Sequence, residues 1–332
     1  MRFKLLLLIL LISSGIVFSQ TNIRFATVAP DGSTWMKVMK EYVKAVEDET
    51  NNSIKFKIYP NQVAGDEKDV LRKIRIGQLD SGGFTGVGLG EIVPEVRIMD
   101  SPFLFKTYEE VDYVSGLLFD HFARKFDEKG FILLGWAEVG FVYVFTNTPI
   151  NSLEDMVGVK MWMWEGDPIA ESTFKAFGIS PIPLSIADVM TSLQTNLING
   201  VYISPLACIA LQWHTKVKYM LDLPLADSNG AILLSKKKFN QLSNSEQEII
   251  KRLSRKYFDQ LTDLSRKDNA ESLQLLKEIG ITFTTIKDKS KVEGFYRSGG
   301  EARRDLVGRL YDQELLDRVE GMLAEFRNKK TE

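Results

Sequence analysis

One cysteine and two histidines in 332 residues leave little material for reactive chemistry. With Cys208 alone, no intramolecular disulfide can form, and stability has to come from a buried core. Cys208 lies in SPLACIALQW, an apolar helical context that reads as a buried, inert thiol. His121 and His214 each stand beside aromatic residues in helical sequence, where a structural histidine is the expectation. No Cys or His set has zinc-ligand spacing, and no G-x-S-x-G elbow occurs. The glycine-rich GGFTGVGLG, Gly82 to Gly90, fails as a phosphate loop because neither G-x-G-x-x-G nor a G-K-[ST] ending is present. It reads instead as a bend where the backbone comes close to a packed helix or to a bound solute. An excess of one charge is also missing: 42 basic residues face 44 acidic ones, for a net charge of −2. Nothing there points to nucleic acid or to an anionic membrane surface.

The one strongly apolar run is at the start. MRFKLLLLILLISSGIVFSQ carries Arg2 and Lys4 ahead of an apolar stretch, with Val17 and Ser19 suited to the −3 and −1 positions of a cleavage site. We read residues 1–19 as a secretory signal peptide, which makes the mature chain periplasmic with a charge of about −4. The run is shorter than the roughly 20 apolar residues of a membrane span, and no cysteine follows to carry a lipid. No membrane insertion is expected after cleavage.

From Ile23 onward, short strands alternate with helices. IRFATVA is β-rich; a helix is expected over 36–48, a strand in SIKFKIYP, and a helix over 67–76 capped by Asp66. FILLGWAEVGFVYVFTN reads as two strands around Gly140, and a helix opens at Asp167 with Pro168 in its first position. Ser185 with Asp188 resembles a capping box for a helix reaching about Leu197. Residues 243–280 form one long helical stretch, and roughly 297–327 is again amphipathic helix. Such alternation implies an α/β protein with a largely parallel sheet. KMWMW, Lys160 to Trp164, alternates two tryptophans with two methionines, so a strand here is apolar on both faces: either doubly buried or lining an apolar pocket. An exported, aromatic-rich α/β chain without a catalytic set suits a solute receptor.

A family likeness is carried by ATVAPDGSTW, YPNQVAGDEKDVLRKIRIGQLD, SPFLF with YEEVDYV, and GVKMWMW followed by FKAFGISPIPLSIADVMTSLQTNLING. Together they resemble the substrate-binding proteins of tripartite ATP-independent periplasmic (TRAP) transporters, the DctP type, over nearly the whole mature chain. The resemblance implies a two-lobe periplasmic solute-binding fold with a ligand cleft between the lobes and a long helix spanning both. On that pattern residues 20–145 with about 230–275 make lobe I, and 146–229 with about 276–332 make lobe II. It also implies delivery of a small solute to integral-membrane permease subunits, with no cofactor and no nucleic-acid partner. Typical members grip an organic acid with an arginine in G-[LV]-K-[IM]-R; here Trp162 stands at that place, and EVGFVYVFTN lacks a second basic residue. A carboxylate would enter such a cleft without a counter-charge, which favours a neutral or largely apolar solute. Lys160 is the reservation, its bland reading being a solvent-exposed lysine. Candidate contacts are Trp35, Phe84, Thr85, Gly86, Trp136, Phe141, Trp162, Trp164, Tyr202 and Ser204, with Glu165, Thr85 and Ser204 orienting any polar end. Alternatives are an organic-acid receptor of the same transporter type, an exported enzyme acting through Glu165 or Asp167, or a ligand sensor.

Overall fold

A computed structural model describes residues 20–330; the expected signal peptide, residues 1–19, lies outside them. In chain order the elements are β1 (Thr21–Thr27), α1 (Thr34–Glu49), β2 (Ile54–Tyr59), α2 (Glu67–Arg75), β3 (Ser81–Thr85), α3 (Gly86–Gly90), α4 (Tyr108–Glu128), β4 (Phe131–Trp136) and β5 (Gly140–Thr146). Then follow β6 (Trp162–Trp164), α5 (Pro168–Ala176), β7 (Ile182–Leu184), α6 (Val189–Gln194), β8 (Gly200–Ile203), α7 (Pro205–Ala210), β9 (Tyr219–Leu221), β10 (Ala226–Ser228) and β11 (Gly230–Ser235). The chain ends with α8 (Lys236–Phe239), α9 (Asn244–Glu278), β12 (Thr282–Thr284), α10 (Lys289–Asp305) and α11 (Gln313–Lys329). Among the described residues no helix is long and apolar enough to cross a membrane.

Two sheets organise two lobes. The first has the order β2-β1-β3-β11-β4, and the second β10-β5-β9-β12 with β8 also on β5. The expectation of a largely parallel sheet is corrected. β1 is parallel to β2 and β3, but β11 runs antiparallel to β3 and β4, and β5 runs antiparallel to β8, β9 and β10. The reason is the crossing of the chain between lobes: β11 enters the first sheet from the second lobe and so arrives from the opposite end.

The crossings sit side by side. Residues 137–139 link β4 to β5, and Asn229 links β10 to β11; Ala137 N–H donates to Gly230 O at 2.7 Å and Val139 N–H to Ser228 O at 3.0 Å. On α9, Asn269 Nδ2 donates to Val139 O at 2.8 Å while its Oδ1 accepts from Leu206 N–H at 3.0 Å, tying crossing and α7 to the long helix. Helix α9 opens with a capping box between Ser243 and Glu246. Its Ile250, Leu253, Phe258 and Leu261 join the core behind the first sheet, while Leu276 joins that of the second lobe. The C-terminal segment divides where one stretch was expected. Helix α10 places Phe295 in a second-lobe core, but Leu315, Leu316, Val319 and Leu323 of α11 return to the core around α4 and the first sheet. Assigning all of 276–332 to lobe II is therefore corrected: α11 has an apolar face that fits α4. The expected helix at Ser185 is also shorter: a 3-10 turn over Ile186–Asp188 leads into α6, and Ser185 Oγ accepts only from Ala187 N–H.

Candidate functional site

Between the lobes lies a cavity of ≈ 220 Å³ with predominantly apolar walls. The first lobe supplies the turn after β1 and the β3–α3 junction; the second supplies β6, α5, β8 and α7. Of the expected contacts, Trp35, Phe84, Thr85, Gly86, Trp162, Trp164, Tyr202 and Ser204 line this cavity. Three do not, and each has a local reason. Trp136 packs edge-on against Phe119 and Phe122 of α4, Phe141 packs against Tyr108 with ring centres 4.6 Å apart, and Glu165 is exposed at the turn after β6.

The tryptophan alternation holds as a strand. Trp162 and Trp164 join one core cluster, and Met161 with Met163 belongs to another on the opposite face. Trp162 is 2% exposed, stacks on Tyr202 at 5.1 Å and meets Trp213 edge-on at 5.2 Å. Its Nε1–H donates to Leu184 O at 3.1 Å. It thus packs the core on one side and faces the cavity on the other. Trp164 Nε1–H reaches across the cleft to Asp66 Oδ2 at 2.9 Å. Lys160 takes its bland reading: it is exposed, with Nζ donating to Asn196 O at 2.9 Å, and it does not line the cavity.

The glycine-rich bend becomes the end of β3 and a single helical turn, α3. Its glycines make room for the protein's own carboxylates. A Cβ on Gly86 would overlap the Asp100 carboxylate, and one on Gly88 would stand 2.5 Å from Glu67 Oε2. Glu67 accepts from Thr85 N–H at 2.8 Å, Gly88 N–H at 2.7 Å and Thr85 Oγ–H at 3.1 Å. Burial nevertheless pushes its carboxyl up to about 7. Thr85 and Ser204 spend their hydroxyls on α3 and α7 as N-caps, Ser204 Oγ accepting from Ala207 N–H at 3.3 Å.

Sequence reasoning missed the buried charges. Arg97, in the 3-10 turn Pro94–Asp100, is 4% exposed and lines the cavity. Its Nε lies 2.8 Å from Asp100 Oδ2, and its Nη2 donates to Asp167 Oδ1 at 2.9 Å across the cleft. Burial works against the Arg97 charge, but the two carboxylates outweigh it and hold its pKa above the ordinary value. Burial pushes the Asp100 carboxyl up to about 6 despite the attraction of Arg97. Tyr202 O–H donates to Asp167 Oδ2 at 3.3 Å, and burial raises the phenol well above its usual range. The signal in the sequence was an Arg–Asp pair at i, i+3 inside an otherwise apolar stretch, IVPEVRIMDSPFLF.

The histidines and the thiol are engaged elsewhere. His121 Nε2 is 2.9 Å from Glu95 Oε1, and a ring nitrogen of His214 is 3.4 Å from Cys208 O. Cys208 is fully buried, and burial pushes its thiol up to about 12.

Comparison with known proteins agrees with this fold. Residues 25–295 match the family model described as bacterial extracellular solute-binding protein, family 7, DctP. The sialic acid-binding periplasmic protein SiaP of Vibrio cholerae is 26% identical over 292 residues, covering 85% of this chain and 88% of its own. A TRAP periplasmic solute-binding protein from Pseudomonas putida F1 with bound D-glucuronate superposes with a TM-score of 0.82 at 24% identity, covering 90% of this chain and 96% of that one. An apo, open relative from Rhodobacter sphaeroides gives 0.76 at 20% identity, covering 92% and 99%. With the family model spanning most of the chain, this protein belongs to bacterial extracellular solute-binding protein family 7, the DctP-type solute receptors of TRAP transporters.

Proposed function

We propose that this receptor captures, outside the cytoplasm, a small solute without net negative charge and with a largely apolar body, and hands it to a membrane permease. The supporting observation is that Arg97, the single cationic side chain lining the cavity among the described residues, is already paired with Asp100 and Asp167. An incoming carboxylate would have to displace one of them or stay unpaired out of water, and either is costly. Trp162, where typical members place their arginine, contributes ring area instead. An organic-acid reading draws on relatives that bind sialic acid or hold D-glucuronate; here it requires Arg97 to leave its carboxylates. Titration calorimetry with D-glucuronate and sialic acid tests the reading. No binding is expected up to millimolar concentration, and a Kd of about 100 µM or tighter for either would overturn it.

A further inference from the structure

Five acids line the cavity, Glu67, Asp100, Glu138, Asp167 and Asp227, against the one cation Arg97. Four are already matched. Asp100 and Asp167 share Arg97. Glu138 receives Arg266 Nε at 3.0 Å and Nη2 at 2.5 Å, and Glu67 receives the amides of Thr85 and Gly88. Asp227, on β10, is the exception: it is 1% exposed and neither carboxylate oxygen has a hydrogen-bond partner. Its electrostatic surroundings are unfavourable to a second negative charge. Glu138 faces it from the crossing after β4, Asp100 from the 3-10 turn, and Asp112 and Tyr108 from α4; Arg266 on α9 opposes them, but it is bound to Glu138 and Asp112. A buried acid left without a donor destabilises the empty protein and makes sense where something else supplies the donor.

The remaining wall is apolar, with aromatic rings set among aliphatic side chains such as Val142, Ile169 and Leu225. Trp162 stacks on Tyr202 at 5.1 Å and leans on Trp164 at 6.2 Å, with Trp35 on the first-lobe side. Ring faces of Trp and Tyr carry negative charge density that attracts cations. A metal ion does not fit, because no three His, Cys, Asp or Glu side chains among the described residues converge to hold one, and hard cations need six or more oxygens.

We propose that the solute carries an organic cation, an ammonium or related nitrogen group on an apolar body, with Asp227 as its counter-charge and the Trp162, Trp164 and Tyr202 rings against its apolar part. This rests on the non-anionic reading above and narrows it. In the empty protein, burial and the acids around it hold the Asp227 carboxyl well above its usual range. A cation arriving beside it favours the ionised form, so binding releases a proton.

The test uses the mature chain and three probes of one shape: phenethylamine, 2-phenylethanol and phenylacetate. Calorimetry on wild type is expected to show the amine bound about tenfold or more tighter than the alcohol, with a heat that varies with buffer ionisation enthalpy as a proton is released. Asp227→Asn is nearly isosteric, its folding is checked by thermal melting, and it is expected to abolish both the amine preference and the proton release. Equal affinity for amine and alcohol, or an amine preference that survives Asp227→Asn, overturns the cation proposal and leaves the non-anionic reading standing. Tighter binding of phenylacetate overturns both. Failure of all three probes to bind also counts against the cation, unless native mass spectrometry of protein purified without refolding finds a retained solute with a basic nitrogen; a retained neutral solute overturns the proposal outright.

Discussion

Arg97 sits in the wall with a carboxylate on either side, and what it contributes depends on what replaces it. Three charges removed from water lose hydration comparable to what their mutual attraction returns, so the intact triad adds little net stability. Removing one member is another matter. Arg97→Met leaves Asp100 and Asp167 buried without a counter-charge and is expected to cost about 3–5 kcal/mol, read from the midpoint of a urea melt. A loss below about 1 kcal/mol would show that the carboxylates do not depend on the guanidinium. The triad also shows where residue-level reading of the sequence runs out. Trp162 and Trp164 were legible because they alternate with methionines in KMWMW, and Trp162 also because it stands where the resemblance places an arginine. Arg97 and Asp100 were not, because an i, i+3 pair of opposite charges ordinarily marks a solvated helix face. Only the packing of α3, α4 and β10 around the turn reveals that it is buried.

At the scale of elements, α3 depends on Glu67. A single turn rich in glycine has little intrinsic stability, and the Glu67 carboxylate binds two of its N-terminal backbone donors. Burial sets the folded carboxyl at about 7 against 4.5 in the free group, so between these values the folded state holds the proton more tightly than the unfolded one. The folded protein is then relatively favoured at low pH. This group's contribution falls as pH rises from about 4.5 to about 7, by up to about 3 kcal/mol. Glu67→Gln cannot ionise and is expected to flatten the drop in melting temperature between pH 5 and pH 7.5. A variant profile parallel to wild type would remove Glu67 as its source. Element type and several caps were legible from local chemistry: Asp66 and Asp167 both cap where turn residues meet periodic apolar sequence. Strand direction was not, since nothing local to β11 says that it enters the first sheet from the other lobe. Nor does the apolar stripe of α11 say which helix it will meet.

On the scale of the whole molecule, four connections join the lobes among the described residues: two adjacent crossings, α9, whose 35 residues extend about 50 Å, and the segment 306–312 by which α11 returns to the first lobe. Across the cleft the lobes also touch directly, through Arg97 to Asp167 and Trp164 to Asp66. Both contacts can exist only while the lobes are together, so each shifts the equilibrium between open and closed forms toward the closed one. One such hydrogen bond is worth about 1 kcal/mol, enough to move that equilibrium about fivefold. Trp164→Phe keeps the ring and removes the bond to Asp66. Small-angle scattering of the solute-free variant is expected to show a larger radius of gyration than wild type. An unchanged curve would mean that the bond does not bias closure.

The placement of the tryptophans has an optical consequence. Trp35, Trp162 and Trp164 line the cavity and Trp213 touches Trp162, which leaves Trp136 alone of the five at a distance from it. Indole emission responds to the polarity and contacts of its surroundings, and here four of the five indoles lie at the cavity or one ring away. Intrinsic fluorescence of the unlabelled protein is therefore a direct reading of occupancy. A solute library can be screened by emission alone, with no dye competing for the space.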